Sequence, residues 1–345
     1  APINNADSYT WWYTPATGVT ITNNGANASL AFDLTAASGN LFVQGNKTGC
    51  ASGPASPAFA VGVHSAPYVA LTTCNDLKTT TSARPFALKG GVPLGGQYFV
   101  DGIAVSAGIL DPSTLSTTTH QITYTYTDAN TCINTTPSVP IMVFPGSVLT
   151  TCPTTFTDIR DNKTYRSLSM GSRCWMVDNL VYGNQLSPSD QPQRDNCTPE
   201  KYCLTTDPAC AMYGGLYQWD ELMQYQVPSA GQLIQGLCPP EWHVPTAAEW
   251  QLLIDGAMNP GNGLAGAELK DPLPTFGFKA LLDGFYYQNS IWGFSSGSPL
   301  ATMYWTSTNA GINRALARGL NTFETSVSKY YSGRSNAFPV RCVKD

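Results

Sequence analysis

Ten cysteines, three histidines and one short acid-amide turn carry most of the reactive or ligating chemistry in this chain of 345 residues. His64, His120 and His243 are too few and too widely spaced to make a zinc centre unaided, and no His-Glu-x-x-His, Gly-x-Ser-x-Gly or phosphate-loop pattern occurs. His243, between Trp242 and Val244-Pro245, is expected to bond a loop carbonyl. Cys197, Cys203 and Cys210 are clustered, yet their spacing departs from the Cys-x-x-Cys hook of thiolate metal sites. With Pro199 and Pro208 between them, a disulfide-stapled loop fits better. Asp158, Asp161 and Asn162 form a turn that could offer oxygens to calcium, but a hard cation needs roughly six to eight of them. An Asx turn is the plainer reading. Aromatic side chains are the stronger functional signal. Tyr286, Tyr287, Trp292, Tyr330 and Tyr331 stand among Gly, Ser and Asn, where an exposed platform for a sugar ring or a protein loop is expected. No constellation points to catalysis, so the chain reads as a binding protein and not as an enzyme.

Composition narrows the setting. Only 12% of residues are charged and the net charge is -5, with no basic run to follow a phosphate backbone, so nucleic acid is excluded as a partner. Ten cysteines, seven of them after residue 150, favour an oxidising, extracellular compartment. No stretch of about 18 apolar residues appears, so no direct membrane span is expected. Nor does a charged leader with an apolar core open the chain, which therefore reads as a mature or excised fragment.

The elements that must position these groups change character along the chain, and a length of 345 residues predicts two or three domains. Residues 1–66 read as short strands: Tyr9 to Tyr13, Val19 to Ile21, Leu30 to Phe32 and Leu41 to Val43 alternate between Gly and Asn turns, with Trp11 or Trp12 as the expected core residue. Residues 67–148 read as a second β unit. Its longest strand, His120 to Thr127, places Ile122, Tyr124 and Tyr126 on one face and threonines on the other. From residue 151 to 345 helices enter. Leu216 to Tyr225 has helical spacing, and Thr246-Ala-Ala-Glu249 is a capping box opening a helix whose stripe is Trp250, Leu253, Ile254 and Ala257. A further short helix is expected near Gly266 to Leu269.

Three resemblances accompany these elements. Gly90 to Tyr98, Gly108 to Pro112, His120 to Thr127 and Asp128 to Cys132 resemble the immunoglobulin-like repeats of Bacteroidota surface adhesins. Tyr9-Thr-Trp11, Gly18 to Ile21 and Asn46 to Cys50 resemble the related PKD-like module. Residues 151–345 resemble the major paralogous domain of Fibrobacter succinogenes. The matching motifs are Phe156 to Asp158, Asp161 to Tyr165, Cys174 to Met176, Gly215 to Trp219, Cys238 to Thr246, Glu249-Trp250, Leu282 to Phe285, Tyr304 to Ser307 and Val340 to Val343. Cys174 departs from the glutamine common before the Trp-Met pair in that family. The Pro245 to Trp250 segment is also similar to one in C-type-lectin-like and sulfatase-modifying folds. The fold implied is multidomain: two all-β immunoglobulin-like sandwiches, then an α+β C-type-lectin-like domain. Calcium is a cofactor that lectin-like loops commonly recruit.

Cysteine order suggests pairings. Cys74 and Cys132 flank the second β unit and are expected to bond. Cys342 is the only cysteine after Cys238 and has a ready partner in it, which removes the nucleophile an oxidising enzyme of the sulfatase-modifying type would need. Cys174 is expected to meet Cys197, Cys203 or Cys210, with Cys50 left over and Cys152 unassigned at the boundary. The function implied is that of an exported cell-surface adhesin fragment. Its β-sandwich spacers would display a disulfide-stabilised lectin-like domain that binds a surface glycan or protein. A structural or docking module of a surface filament or secretion complex, contacting secretion or anchoring proteins, is the alternative.

Overall fold

The computed structural model describes residues 3–72, 74, 76–147, 151–170, 172–186, 192–204, 206–229, 231–257, 265–270, 277–282, 284–287, 290–292, 294–295 and 298–345; at 265, 268, 287, 290–292, 294–295 and 298–299 it describes the backbone alone. Strand outweighs helix, 40% to 8%, and the protein is multidomain and β-rich. No helix among the described residues is long and apolar enough to cross a membrane. The chain divides into two compact units. One holds Ala1–Ala70, Gly91–Gln97 and Tyr124–Thr136; the other holds Leu71–Gly90, Tyr98–Thr123 and Pro137–Asp345. These limits cut across the expected boundaries near residues 66 and 148. Most of the second β stretch is continuous with the C-terminal region.

In the first unit Ser8–Thr14 and Gly39–Asn46 pair antiparallel from Ser8 opposite Asn46 to Thr14 opposite Asn40, and Phe59–Val61 adds to the latter. Val19–Asn24 and Asn27–Phe32 form a hairpin whose two-residue loop begins at Gly25 with φ 73°, a conformation glycine adopts freely. The buried centre is Tyr13 and not Trp11 or Trp12. The tyrosine fits there because its hydroxyl reaches the Ala37 carbonyl at 2.8 Å. Trp12 instead stacks on Phe42 at 5.4 Å, and Trp11 donates to the Gly25 carbonyl at 3.1 Å. In the remaining segments Tyr124 lies flat over two glycines. A Cβ on Gly91 or Gly96 would come within 2.5 Å of its ring, so neither position has room for a side chain.

The second unit has several apolar cores, the smallest of them formed by Tyr202, Leu204, Leu216, Tyr286 and Ala337. Leu88, Val100, Val105, Leu110, Ile122 and Ile141 form one, under a sheet in which Lys78–Thr80 runs parallel to Val139–Phe144. The strand Thr119–Thr127 alternates as expected, with His120, Ile122 and Tyr124 buried and Gln121 exposed. His120 is held by Asp101 at 2.6 Å and by the Ser116 carbonyl at 2.9 Å. Two larger cores also belong to the C-terminal region. One gathers around Trp219, Trp242, Trp305 and Phe338, the other around Trp175, Trp250, Phe278 and Tyr304. Trp175, Trp250 and Phe278 meet edge-to-face at 5.3 to 6.0 Å, the geometry that ring quadrupoles favour.

The helix Ala247–Ala257 buries Trp250, Leu253, Ile254 and Ala257. Its capping box is formed on both sides: Glu249 N donates to Thr246 Oγ1 at 3.1 Å and Thr246 N to Glu249 Oε2 at 2.9 Å. The short helix Ala265–Lys270 is also present. The expected helix over Leu216 to Tyr225 shrinks to Trp219–Leu222. Tyr217–Gln218 is drawn into a strand by Ala337–Phe338, and Gln224 and Tyr225 stop the helix at φ 52° and 59°. Propensity yields here to sheet pairing.

Four disulfides close this unit: Cys74–Cys197, Cys152–Cys174, Cys203–Cys210 and Cys238–Cys342. The expected Cys74–Cys132 bond is corrected. Cys132 stays free in a turn where its amide donates to Asp128 Oδ1 at 2.9 Å, while the segment carrying Cys74 is committed to the C-terminal region. Cys174 bonds Cys152 because Thr155–Thr157, Thr164–Met170 and Arg173–Met176 are successive neighbours in one sheet.

A buried ion pair reinforces the same connection. Arg160, with 2% of its side chain exposed, bonds Asp158 through Nε and Nη2 at 3.0 and 2.8 Å. It also bonds Asp76 at 2.9 Å and the Leu237 carbonyl at 2.9 Å. Its guanidinium covers the Tyr182 ring at 3.8 Å, and Tyr182 donates to Asp76 at 2.7 Å. Replacing Arg160→Met strands two acids with no cation, and urea unfolding is expected to show a loss of roughly 3–5 kcal/mol. Alkylation of native protein followed by peptide mapping is expected to label Cys50 and Cys132 and to leave the other eight cysteines unmodified until reduction.

Candidate recognition cleft

A cavity of about 340 Å³ in the second unit opens between the segment around residues 76–89 and the loop around residues 224–237. Gln224, Gln226, Gln232 and Gln235 line it, together with Phe86 and Tyr182. The loop is fixed from several directions. Leu237 N donates to the Leu222 carbonyl at 2.9 Å and Val244 N to the Ile234 carbonyl at 3.0 Å. Gly236, at φ 56°, allows the turn because a Cβ there would collide with the Leu222 carbonyl. Beyond it Cys238 is bonded to Cys342. Across the cleft Lys89 Nζ donates to the Gln224 carbonyl at 2.7 Å, Lys78 Nζ to the Ile159 carbonyl at 2.9 Å, and Cys74–Cys197 forms part of the wall. Both walls are therefore set before any ligand arrives.

Beside the cleft sits a buried acid. Glu221 accepts from Glu200 N at 2.9 Å and from the Tyr225 hydroxyl at 2.9 Å. Burial pushes its carboxyl up to about 7, the two hydrogen bonds opposing and the nearby Glu200 and Asp195 adding to the rise. Burial likewise raises the Tyr182 hydroxyl, with Asp76 adding to it.

A different charge network surrounds His243. Its Nδ1 meets Asp345 at 2.7 Å and its Nε2 meets Glu249 at 2.9 Å, in place of the expected loop carbonyl. Burial opposes the charged imidazole, but the two carboxylates outweigh it and raise the pKa. Burial also opposes the Glu249 carboxylate, yet His243 and Thr246 hold it down at about 2. The ring is fully buried and ties the capping-box acid to Asp345. Its role is to hold the helix start.

The expected site residues fare differently. Asp158 is sequestered by Arg160. Asp161 Oδ1 accepts the Lys163 amide at 2.9 Å, and Asn162 turns the backbone at φ 63°. Asp158, Asp161 and Asn162 thus form an Asx turn built around an ion pair. Among the described residues no group of three or more His, Cys, Asp or Glu could hold a metal. Tyr286 is buried against Tyr202 at 5.7 Å because the sheet joining it to Ala337 faces a core; it is not an exposed platform residue. Tyr330 and Tyr331 are exposed but adjacent on the strand Ser328–Gly333, so they point to opposite faces. Tyr330 lies over Gly319, and Tyr331 lies beneath Lys329 Nζ at 5.2 Å. The side chains of Tyr287 and Trp292 lie outside the described residues. Asp76, Arg160 and the glutamines went unnoticed in the sequence, although four glutamines between residues 224 and 235 are a readable signal.

The family model of the Fibrobacter succinogenes major domain matches residues 168–344, a little over half of the chain. The chain belongs to this family. No curated protein and no solved structure matches it. The matched span of the major domain holds Tyr182 and the whole glutamine loop, and it contains three disulfide partners of the cleft walls: Cys197, Cys238 and Cys342.

Glu221 gives the major domain a pH dependence. Its folded pKa, about 7, lies above the ordinary 4.5, so the folded state holds the proton more tightly than the unfolded chain. The resulting stabilisation is complete below about 4.5 and is lost as pH climbs through about 7. Glu221→Gln keeps the hydrogen bonds and is expected to remove up to about 3 kcal/mol of the stability decline between pH 5 and 8. Urea midpoints across that range check it.

Proposed function

We propose that the chain is a fragment of an exported cell-surface adhesin in which β-sandwich spacers of the PKD-like and immunoglobulin-like kind display the major domain as a lectin-like recognition module. The module acts by binding and not by catalysis, and its ligand is a glycan taken into the glutamine-lined cleft. What carries this reading is the fixed cleft itself. Primary amides offer paired donors and acceptors suited to sugar hydroxyls, and Phe86 and Tyr182 supply apolar ring surface beside them. The disulfides and the Arg160 cluster hold both walls, which reduces the ordering cost that weak polar ligands must overcome. Eight bonded cysteines suit an oxidising extracellular setting.

Docking to a secretion or anchoring protein is the second reading. It is favoured by Leu77, an exposed apolar side chain that also lines the cleft.

A glycan array followed by calorimetry tests the first reading. Gln232 Oε1 accepts one loop amide, Ser229 N at 3.0 Å, and Q226A/Q232A is expected to weaken the bound glycan at least about tenfold, each lost hydrogen bond contributing on the order of 1 kcal/mol, with a thermal midpoint lowered by no more than that one bond accounts for. Retention of full affinity in the double variant, or no glycan bound by the wild type, turns the assignment toward docking.

A further inference from the structure

A second pocket of about 240 Å³ lies elsewhere in the same unit, lined by Lys163, Arg166, Asp178, Asn179, Gly214 and Lys279 among others. Three cations face it and one carboxylate. Asp178 is already occupied: Arg166 Nε and the Arg166 amide donate to it at 3.0 and 2.8 Å. Burial opposes its ionisation, but the Arg166 hydrogen bonds and the charge of Arg341 keep the carboxyl below its ordinary range. Asp161, two residues from Lys163, gives its Oδ1 to the Lys163 amide and is not part of the wall. Lys163 and Lys279 are both exposed, and neither ammonium has a hydrogen-bond or ion-pair partner among the described residues.

Behind the wall lies a further positive charge. Arg341 is fully buried and bonds Asn179 Oδ1 at 2.8 Å and the Lys279 carbonyl at 3.0 Å, with a further bond to the Phe278 carbonyl. Its guanidinium faces the Phe278 ring at 4.4 Å and the Tyr304 ring at 5.4 Å. Its hydrogen-bond acceptors among the described residues are neutral, and Asp178, which feels its charge, is bonded by Arg166. Through Lys279 and Asn179 it also fixes two residues of the pocket. Gly214, at φ 82°, completes the shape: a Cβ there would come within 2.5 Å of Asn179 Cβ. A polar recess bordered by two unpaired ammonium groups, with a buried arginine behind it and with Arg166 paired to Asp178, attracts negative charge, and ammonium donors form strong charge-assisted bonds to oxyanions.

We propose that this pocket is an oxyanion-binding subsite, taking a sulfate or carboxylate group through Lys163 and Lys279, with Arg166 holding Asp178 out of the way. It is independent of the glutamine cleft and stands whether or not that cleft binds a glycan. Calorimetric titration of the full chain with sodium sulfate, galactose 6-sulfate, glucuronate and neutral galactose tests it. The expected result is that at least one anion binds and galactose does not bind here, that affinity falls as salt is raised, and that K163Q/K279Q loses at least about tenfold per lysine. An R314Q variant removes an exposed charge away from the pocket and is expected to bind as the wild type does. Sulfate alone matching galactose 6-sulfate identifies the free ion as the ligand; a preference for the sugar sulfate or glucuronate identifies an acidic saccharide. The proposal is overturned if no anion binds better than galactose, or if K163Q/K279Q, with an unchanged thermal midpoint, keeps wild-type affinity.

Discussion

Arg160 is the charge on which the second unit depends. Its guanidinium is shared by Asp158, two residues away, and by Asp76, more than eighty residues earlier, and it covers Tyr182 while bonding the Leu237 carbonyl. One cation thus satisfies groups from four separate stretches of chain. A buried guanidinium is tolerable only with such complete pairing, since desolvating it alone is costly and losing either acid leaves charge stranded in a low dielectric. The same contacts bring the segment beginning at Leu71 against the major domain, so an early piece of the sequence becomes a wall of the later one.

The disulfides act on the same architecture in a different way. Cys74–Cys197 joins the early segment to the loop before Glu200, and Cys238–Cys342 joins the end of the glutamine loop to the strand neighbour of Trp175. Closing a loop of 104 residues restricts the unfolded chain. By chain-entropy arguments such a closure contributes roughly 4–5 kcal/mol. Around them Trp175, Trp219, Trp242, Trp250 and Trp305 are core residues: Trp219 Nε1 donates to the Thr306 carbonyl and Trp305 Nε1 to the Tyr217 carbonyl, each at 2.8 Å, whereas Trp250 Nε1 is buried with no hydrogen-bond partner among the described residues. The aromatic richness of the major domain therefore goes chiefly into packing.

Buried charge recurs as a device for holding irregular backbone. His243 links the capping-box acid of a helix to Asp345, and Arg84 adds a second contact to that aspartate at 2.9 Å. Arg341 gathers the carbonyls of Phe278 and Lys279, where no regular strand exists to satisfy them. Long loops must find partners for their backbone groups, and in this domain cationic side chains supply them.

What the sequence determined by itself was local. The capping box at Thr246 to Glu249, the apolar stripe of its helix, the alternation of His120 to Thr127 and the motifs of the major domain are properties of neighbouring residues, governed by spacing and propensity alone. The Cys238–Cys342 pair was also legible, because cysteine order left one obvious partner. Tertiary structure decided everything that required distant residues to meet: that Cys74 bonds Cys197 and not Cys132, that Asp158 and Asp76 share Arg160, and that Tyr286 is covered while Tyr330 and Tyr331 part to opposite faces. It also decided which polar side chains would share a cavity. No local pattern encodes that Asp76 approaches Arg160 or that Lys279 faces the pocket lined by Lys163. Those meetings follow from how sheets pair and cores close, where the free energy of burial and pairing outweighs the preference of any short segment.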